Sequence, residues 1–331
     1  MGDEANKFLQ TNLSSIKSSM KDSVMPDKYV LLAANIDEKF QAYYFFYLPF
    51  ITMAWSRLGF QPIVLLVTTK DGDLNNFNNQ NGPAMATVKY LIDLGATLKL
   101  VKSDEGYDLM TSLICRMFVG ALDFLGEEDY VITSDSDLIP IMPEYYETED
   151  TDGITAWNSE CCGRFTYKNR SYQMYPMGHI GMKKKHWKGV MNLASDTEIN
   201  SKAIAGLISD FFSQKYVKKN NKIAKGDPTW IADQTILSQK IEVYTSDLNK
   251  AKLIKKPFEG MRLDRSQNDD TLNYLMDYKF DKLTDFHAFQ SNYLNKWNII
   301  SKLLEKLFTR DTYKILYSYF SEFKQAINSQ N

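Results

Sequence analysis

The chain has 331 residues, with 39 Lys and Arg against 41 Asp and Glu, three His and three Cys. An apolar fraction of 44% and a charged fraction of 24% are those of a folded globular protein, and they exclude a disordered, collagenous or fibrous chain. The formal net charge of −2 gives no reason to expect nucleic acid as a partner.

The N-terminal residues 1–27 are predicted to form a helical extension. They begin with acidic residues and have no apolar stretch behind them, so they lack the features of a signal peptide. The most apolar stretch, residues 42–55, is shorter than the roughly 20 residues of a membrane-spanning helix and contains Pro49, which favours a buried aromatic helix. With three cysteines, which cannot form a spaced disulfide framework, we expect a reduced chain in the cytoplasm.

Residues 28–145 alternate between strand and helix patterns. Short apolar runs predict strands at residues 29–35, 62–67, 97–101 and 130–133. Helical spacing predicts helices at residues 38–58, 84–94 and 108–125. This alternation is typical of a doubly wound α/β sheet.

The second half of the chain has a more mixed pattern. Residues 151–260 combine short strands with helices, which are predicted at residues 183–193, 203–217 and 231–240. Beyond about residue 288 the pattern is helical, and one face carries Trp297, Ile300, Leu303, Leu304 and Leu307. We therefore expect helices at 288–331 that pack on the preceding domain.

Two carboxylates follow the strand predicted at residues 130–133. Asp135 and Asp137 come at its carboxyl end, where open α/β sheets bind ligands. In an extended chain their side chains point the same way, and a divalent cation would relieve their repulsion. Mg²⁺ or Mn²⁺ accepts about six oxygens, partly from water and phosphate, so the pair predicts a metal site for a diphosphate substrate. The alternative is that the pair forms a turn or a helix cap.

The run from Arg116 to Ile141, RMFVGALDFLGEEDYVITSDSDLIPI, resembles the core of metal-dependent glycosyltransferases of the GT-A fold. Their DxD motif binds Mn²⁺ or Mg²⁺ and the diphosphate of a nucleotide sugar. The resemblance implies a GT-A (Rossmann-like) α/β fold with a mixed, mostly parallel sheet flanked by helices and a helical C-terminal segment. It also implies a catalytic domain at 28–287, with a nucleotide-binding half at 28–145 and an acceptor half at 146–287.

The same resemblance implies roles for individual residues. Asp135 and Asp137 would bind the metal, and Asp135 would also reach the nucleotide. The base and ribose would lie at the end of the first strand, against Ala33, Ala34 and Asn35. Arg116 would contact the nucleotide or donor sugar; the alternative is a solvated helix arginine.

A distant histidine completes the metal site in several such enzymes, and a following lysine meets the diphosphate. His287 and Lys296 resemble this element, but the Gly and Pro of its His-x-x-Gly-x-x-Lys-Pro-Trp form are missing and the spacing is longer. The alternative for His287 is a partly buried histidine at the start of a helix.

The segment DPTWIADQ, residues 227–234, places Asp233 and Gln234 at the start of a helix. The resemblance to GT-A enzymes implies that they lie near the reacting sugar. Asp233 would be the base if the reaction inverts configuration. If the reaction retains configuration, Asp233 or Gln234 would orient the donor sugar, and the alternative is an acid that favours the helix dipole. His179 and Trp230 are candidates to contact the acceptor or sugar.

A further charged group, Arg262, Asp264 and Arg265, either binds phosphate or forms a surface ion-pair cluster.

The sequence as a whole predicts a glycosyltransferase that uses a nucleotide-diphosphate sugar, with UDP expected from the family, and a carbohydrate or glycoconjugate acceptor. One alternative is a haloacid-dehalogenase-like phosphatase with Asp135 as nucleophile. Another is a non-catalytic carbohydrate-binding protein whose sugar platforms are Trp157, Trp187 and Trp230.

Overall fold

The computed structural model describes residues 27–37, 42–70, 82–148, 150–223 and 226–329. The predicted N-terminal extension lies outside these residues except for Asp27, and so does the start of the helix predicted at 38–58.

The strands and helices follow one another much as the sequence predicts. The strands are β1 (Lys28–Asn35), β2 (Gln61–Thr68), β3 (Thr97–Lys102), β4 (Tyr130–Thr133), β5 (Leu138–Pro140), β6 (Ile154–Trp157), β7 (Arg164–Tyr167), β8 (Arg170–Gln173), β9 (Ile180–Lys183), β10 (Leu253–Lys256), β11 (Met261–Asp264) and β12 (Leu283–His287). The α-helices are α1 (Ala42–Arg57), α2 (Pro83–Asp93), α3 (Asp108–Ile114), α4 (Pro143–Tyr146), α5 (Lys184–Met191), α6 (Ser201–Phe211), α7 (Ala232–Glu242), α8 (Asp269–Tyr278), α9 (Trp297–Leu307) and α10 (Arg310–Asn328).

The central sheet has seven strands in the order β10-β6-β9-β4-β1-β2-β3. Strand β1 is parallel to both β2 and β4, whereas β9 is antiparallel to β4 and β6. The apolar runs of β1 and β2 are buried on both faces because helices cover both sides of the sheet. The predicted α/β class is confirmed: the sheet is mixed, mostly parallel and flanked by helices.

A second sheet of three strands, in the order β11-β12-β5, lies at the end of β4. Strand β11 is parallel to β12 and pairs Asp264 with His287, while β5 is antiparallel to β12 and pairs Leu138 with His287. This pairing brings His287 and Asp264 beside Asp137, although more than 120 residues separate them along the chain.

The C-terminal helices pack against α1, as the apolar face of residues 297–307 predicts. Helix α1 is buried along most of its length, and Phe46 contacts Tyr319 and Phe323 of α10. Trp297 stacks on Phe320 with ring centroids 3.8 Å apart, which joins α9 to α10. Among the described helices, each is too short or too polar to cross a bilayer.

The structure differs from the sequence predictions at several points. The helix predicted at 108–125 ends at Ile114 and continues as a 3₁₀ segment, Cys115–Ala121, in which Gly120 packs closely on α5: a Cβ there would lie 2.6 Å from Lys188 Cα. Cys161 and Cys162, expected to be reduced, are joined in a vicinal disulfide.

Candidate active site

A cavity of about 230 Å³ opens at the carboxyl ends of β1 and β4. Eleven residues that the sequence analysis selected line it: Ala33, Ala34, Asn35, Arg116, Asp135, Asp137, Trp230, Asp233, Gln234, Arg265 and His287. Six further residues complete the lining: Tyr44, Leu109, Ser112, Leu113, Ser136 and Gln290. A single concave site therefore collects carboxylates, cations and a histidine from distant segments, as ligand sites in α/β proteins do.

Asp135 and Asp137 face this cavity from a turn rather than from an extended strand. The backbone N–H of Leu138 donates to the carbonyl of Asp135 over 3.3 Å, so the chain reverses at Ser136. The Ser136 hydroxyl donates to the carbonyl of Ala33 over 2.6 Å and fixes the turn to the end of β1. The side chain of Asp135 is 41% exposed and that of Asp137 only 6%, so the two carboxylates are not equivalent.

Arg116 binds two of the cavity carboxylates from the 3₁₀ segment. Its Nη1 donates to Asp135 Oδ1 over 2.7 Å and to the carbonyl of Ser134 over 2.8 Å. Its Nη2 lies 3.2 Å from Asp233 Oδ2. Arg116 is 6% exposed, so the solvated arginine considered as an alternative is excluded.

These contacts set the protonation of the acids. Burial by itself would raise the pKa of Asp135, but the neighbouring Arg116 guanidinium outweighs it and holds that pKa below its usual range. Asp233 is 4% exposed, and burial raises its pKa to about 6 in spite of Arg116. Asp233 therefore changes charge just below neutral pH, the range in which an acid or base is most useful.

Asp137 is surrounded by donors on one oxygen. Nη1 of Arg265 lies 2.7 Å from Asp137 Oδ2, and Nε2 of Gln290 donates to the same oxygen over 3.0 Å. The Nε2 atom of His287 is 3.8 Å from it. The Asp137 carboxylate is thus neutralised within the chain by a guanidinium.

His287 is oriented by Asp264. The imidazole Nδ1 lies 3.1 Å from Asp264 Oδ2, which favours a proton on Nδ1 and leaves the Nε2 lone pair on the side of Asp137. Metal-binding histidines are commonly held in this way by a carboxylate. Within the described ranges, however, no group of three or more His, Cys, Asp or Glu side chains is already assembled as a metal site.

Asn35 joins the end of β1 to α3. Its side-chain amide donates to Asp108, and the Asn220 amide donates to the other oxygen of Asp108 over 2.6 Å. Asn35 is 3% exposed, and its side chain serves this network, while residues 33–35 line the cavity at this point.

Two predicted site residues lie elsewhere. Lys296 Nζ donates to Asp269 over 2.7 Å, and Lys296 does not line the cavity. His179 is 3% exposed behind Asp135, and burial lowers its pKa to about 3, so it is neutral and enclosed by Tyr146 and Trp55. The structure therefore does not place Lys296 or His179 where a substrate in this cavity would reach them.

The aromatic platforms expected of a carbohydrate-binding protein are not present as a set. Trp157 and Trp187 are fully buried in the core and each donates its indole N–H to a backbone carbonyl. Trp230 lines the cavity. The alternative of a carbohydrate-binding protein therefore loses two of its three sugar platforms, because Trp157 and Trp187 serve the packing of the core.

No family model matches the chain, and no curated protein matches its sequence. Solved structures similar to it include the galactosyltransferase LgtC in complex with donor and acceptor sugar analogues, with 12% identity, a TM-score of 0.40, and coverage of 85% of this chain and 96% of that one. A putative nucleotide-diphospho-sugar transferase from Desulfovibrio desulfuricans G20 has 13% identity, a TM-score of 0.35, and coverage of 91% and 99%. A 4-diphosphocytidyl-2C-methyl-D-erythritol synthase has 8% identity, a TM-score of 0.32, and coverage of 71% and 91%.

Proposed function

We propose that the protein is a glycosyltransferase that moves a sugar from a nucleotide-diphosphate sugar, with UDP as the expected nucleotide, to an acceptor hydroxyl of a carbohydrate or glycoconjugate. One observation supports this most: Asp135 and Asp137 share a cavity with the end of β1 and the start of α7. In an open α/β sheet this edge is where nucleotides bind.

The residues present fit a divalent metal ion. Asp135 exposes its carboxylate to the cavity, Asp137 lies two residues away, and His287 presents Nε2 on the same side. Carboxylates with one imidazole suit Mn²⁺, and Mg²⁺ is commonly bound by one or two carboxylates, with water and phosphate oxygens at the remaining positions. When bound here, the metal would stabilise the negative charge of the nucleoside diphosphate leaving group.

Residues of the chain itself would position the reacting groups and transfer the proton. Arg116 holds Asp135 and Asp233 in fixed positions, and its charge favours the ionised form of both. Asp233 is ionised above about pH 6 and lines the cavity beside Gln234. In an inverting reaction Asp233 would take the proton of the acceptor hydroxyl, whereas in a retaining reaction it would hold the donor sugar. The anomeric configuration of the product, read by NMR, decides between the two.

The position of the motif along the chain makes the phosphatase alternative less favoured. In that family the Asp-x-Asp motif normally follows the first strand of the domain, whereas here it follows β4.

The test is the release of free sugar from UDP-, GDP-, ADP- and CDP-sugars, with Mn²⁺ and with EDTA. We expect slow release from one nucleotide class that depends on metal and is lost in Asp137→Asn. Turnover of para-nitrophenyl phosphate in the absence of sugar release would support the phosphatase instead. Saturable sugar binding with no turnover of any donor would contradict an enzymatic role.

A further inference from the structure

Arg265 occupies an unusual place among the cations of the site. It follows β11 and reaches across the cavity to Asp137 Oδ2, 2.7 Å from its Nη1, which also donates to the carbonyl of Ala288 over 3.3 Å. Its Nε and Nη2 make no hydrogen bond within the described chain, and its side chain is 25% exposed. Arg265 therefore has donors available to a ligand.

The other cations considered for the nucleotide or its diphosphate are already engaged. Arg262 pairs with Asp285 through Nε and Nη2. Arg116 is 6% exposed and both of its terminal nitrogens bind carboxylates or a carbonyl. Lys296 pairs with Asp269 away from the cavity. The role that the resemblance assigns to a lysine is thus left to Arg265, which follows β11.

We infer that Arg265 couples metal binding to diphosphate binding. This inference rests on the proposed function. In the chain alone the guanidinium balances the charge of the Asp137 carboxylate, whose side chain is only 6% exposed. A metal ion on Asp137 would replace that balance and leave the guanidinium free for phosphate oxygens, which match its planar set of donors.

Replacing Arg265 should therefore change the affinity for metal and the affinity for nucleotide in opposite directions. Without the guanidinium, the metal meets no competitor at Asp137, so metal affinity rises. The nucleoside diphosphate loses a charge-assisted partner, so its affinity in the presence of metal falls. A residue that only supports the fold would change both affinities in the same direction.

The experiment is calorimetric titration of wild type, Arg265→Gln and Arg265→Lys. MnCl₂ is first titrated alone. A nucleoside diphosphate is then titrated with Mn²⁺ in excess. The nucleotide used is whichever of UDP, GDP, ADP and CDP raises the melting temperature of wild type most. Arg170→Gln is the matched control, because Arg170 also pairs with an aspartate over 2.7 Å but lies outside the cavity. Melting temperatures verify that each variant is folded.

For Arg265→Gln we expect the Kd for Mn²⁺ to fall about threefold and the Kd for the nucleotide to rise about tenfold or more. Arg265→Lys should lie between wild type and Arg265→Gln, and Arg170→Gln should match wild type. If the two affinities do not change, or change in the same direction, the inference is overturned while the proposed function stands. The same holds if Lys296→Gln is the one variant that loses nucleotide affinity. If wild type binds no nucleotide with Mn²⁺, the proposed function fails and the inference fails with it.

Discussion

Arg116 donates from Nη1 to Asp135 Oδ1 over 2.7 Å and thereby joins the 3₁₀ segment to the turn after β4. The same side chain reaches Asp233 with its other terminal nitrogen. One arginine thus fixes the spacing between the predicted metal ligand and the predicted acid at the reacting sugar.

Replacing Arg116 by Met should destabilise the protein in a pH-dependent way. Asp233 already has a folded-state pKa raised to about 6, so its contribution to stability is present at low pH and is lost as pH rises through that value. Loss of Arg116 raises this pKa further and also removes the cation that lowers the pKa of Asp135. We expect the free energy of unfolding to fall by about 3 kcal/mol at pH 8 and by less at pH 5. Urea unfolding at both pH values measures this, and an equal loss at both would contradict it.

The rate of sugar transfer or release should depend on the protonation of Asp233. Because burial raises the pKa of Asp233 to about 6, the ionised form grows between pH 5 and pH 7, and the rate should increase over this range. The Asp233→Asn variant should be slower and should lack the inflection near pH 6. A pH profile with the same inflection in Asp233→Asn would assign it to another group.

Asp264 should affect metal binding although it is not a predicted ligand. It holds Nδ1 of His287, and loss of such a partner typically costs 10- to 100-fold in metal affinity. We expect about a tenfold weaker Kd for Mn²⁺ in Asp264→Ala, and no change in Asp247→Ala, whose carboxylate pairs with Arg170 outside the cavity. If His287→Gln binds Mn²⁺ with the same Kd as wild type, His287 is not a ligand of the metal.

Gly178 leaves room for Asp135. A Cβ at this position would lie 2.6 Å from Asp135 Oδ2, so Gly178→Ala must displace the carboxylate from Arg116 or from the cavity. We expect at least about a tenfold loss of turnover with a largely retained fold. Gly206→Ala is the control: it lies in α6 with open space around it, and should leave turnover unchanged while raising the melting temperature slightly. Equal turnover in the two variants would show that Asp135 tolerates the shift.

Much of the sheet could be predicted from the sequence because its signals are local. The apolar runs of β1, β2 and β4 and the acidic pair after β4 are each visible within a few residues. The sequence favours an extended acidic pair and offers the turn at Ser136 only as an alternative, because that turn depends on a hydrogen bond to Ala33, 103 residues away.

The cavity lining that the sequence analysis missed comes from long-range packing. Tyr44 belongs to a helix whose pattern indicates only a buried core element, and it meets Gln290 across the cavity. The sequence around Arg265 fits a phosphate-binding group and a surface ion-pair cluster equally, so it does not place Arg265 in the cavity. Only the pairing of β11, β12 and β5 brings it to Asp137.

The central claim, that the acidic pair binds a metal together with a nucleoside diphosphate, is tested most directly by calorimetric titration of UDP into wild type and Asp137→Asn, each with Mn²⁺ and with EDTA. Asp137→Asn has nearly the same size as wild type, so the comparison isolates the charge at the cavity. We predict binding to wild type that requires Mn²⁺ and is weaker by at least about tenfold in Asp137→Asn. UDP binding that is equal in both proteins, or equal with Mn²⁺ and with EDTA, would contradict the account.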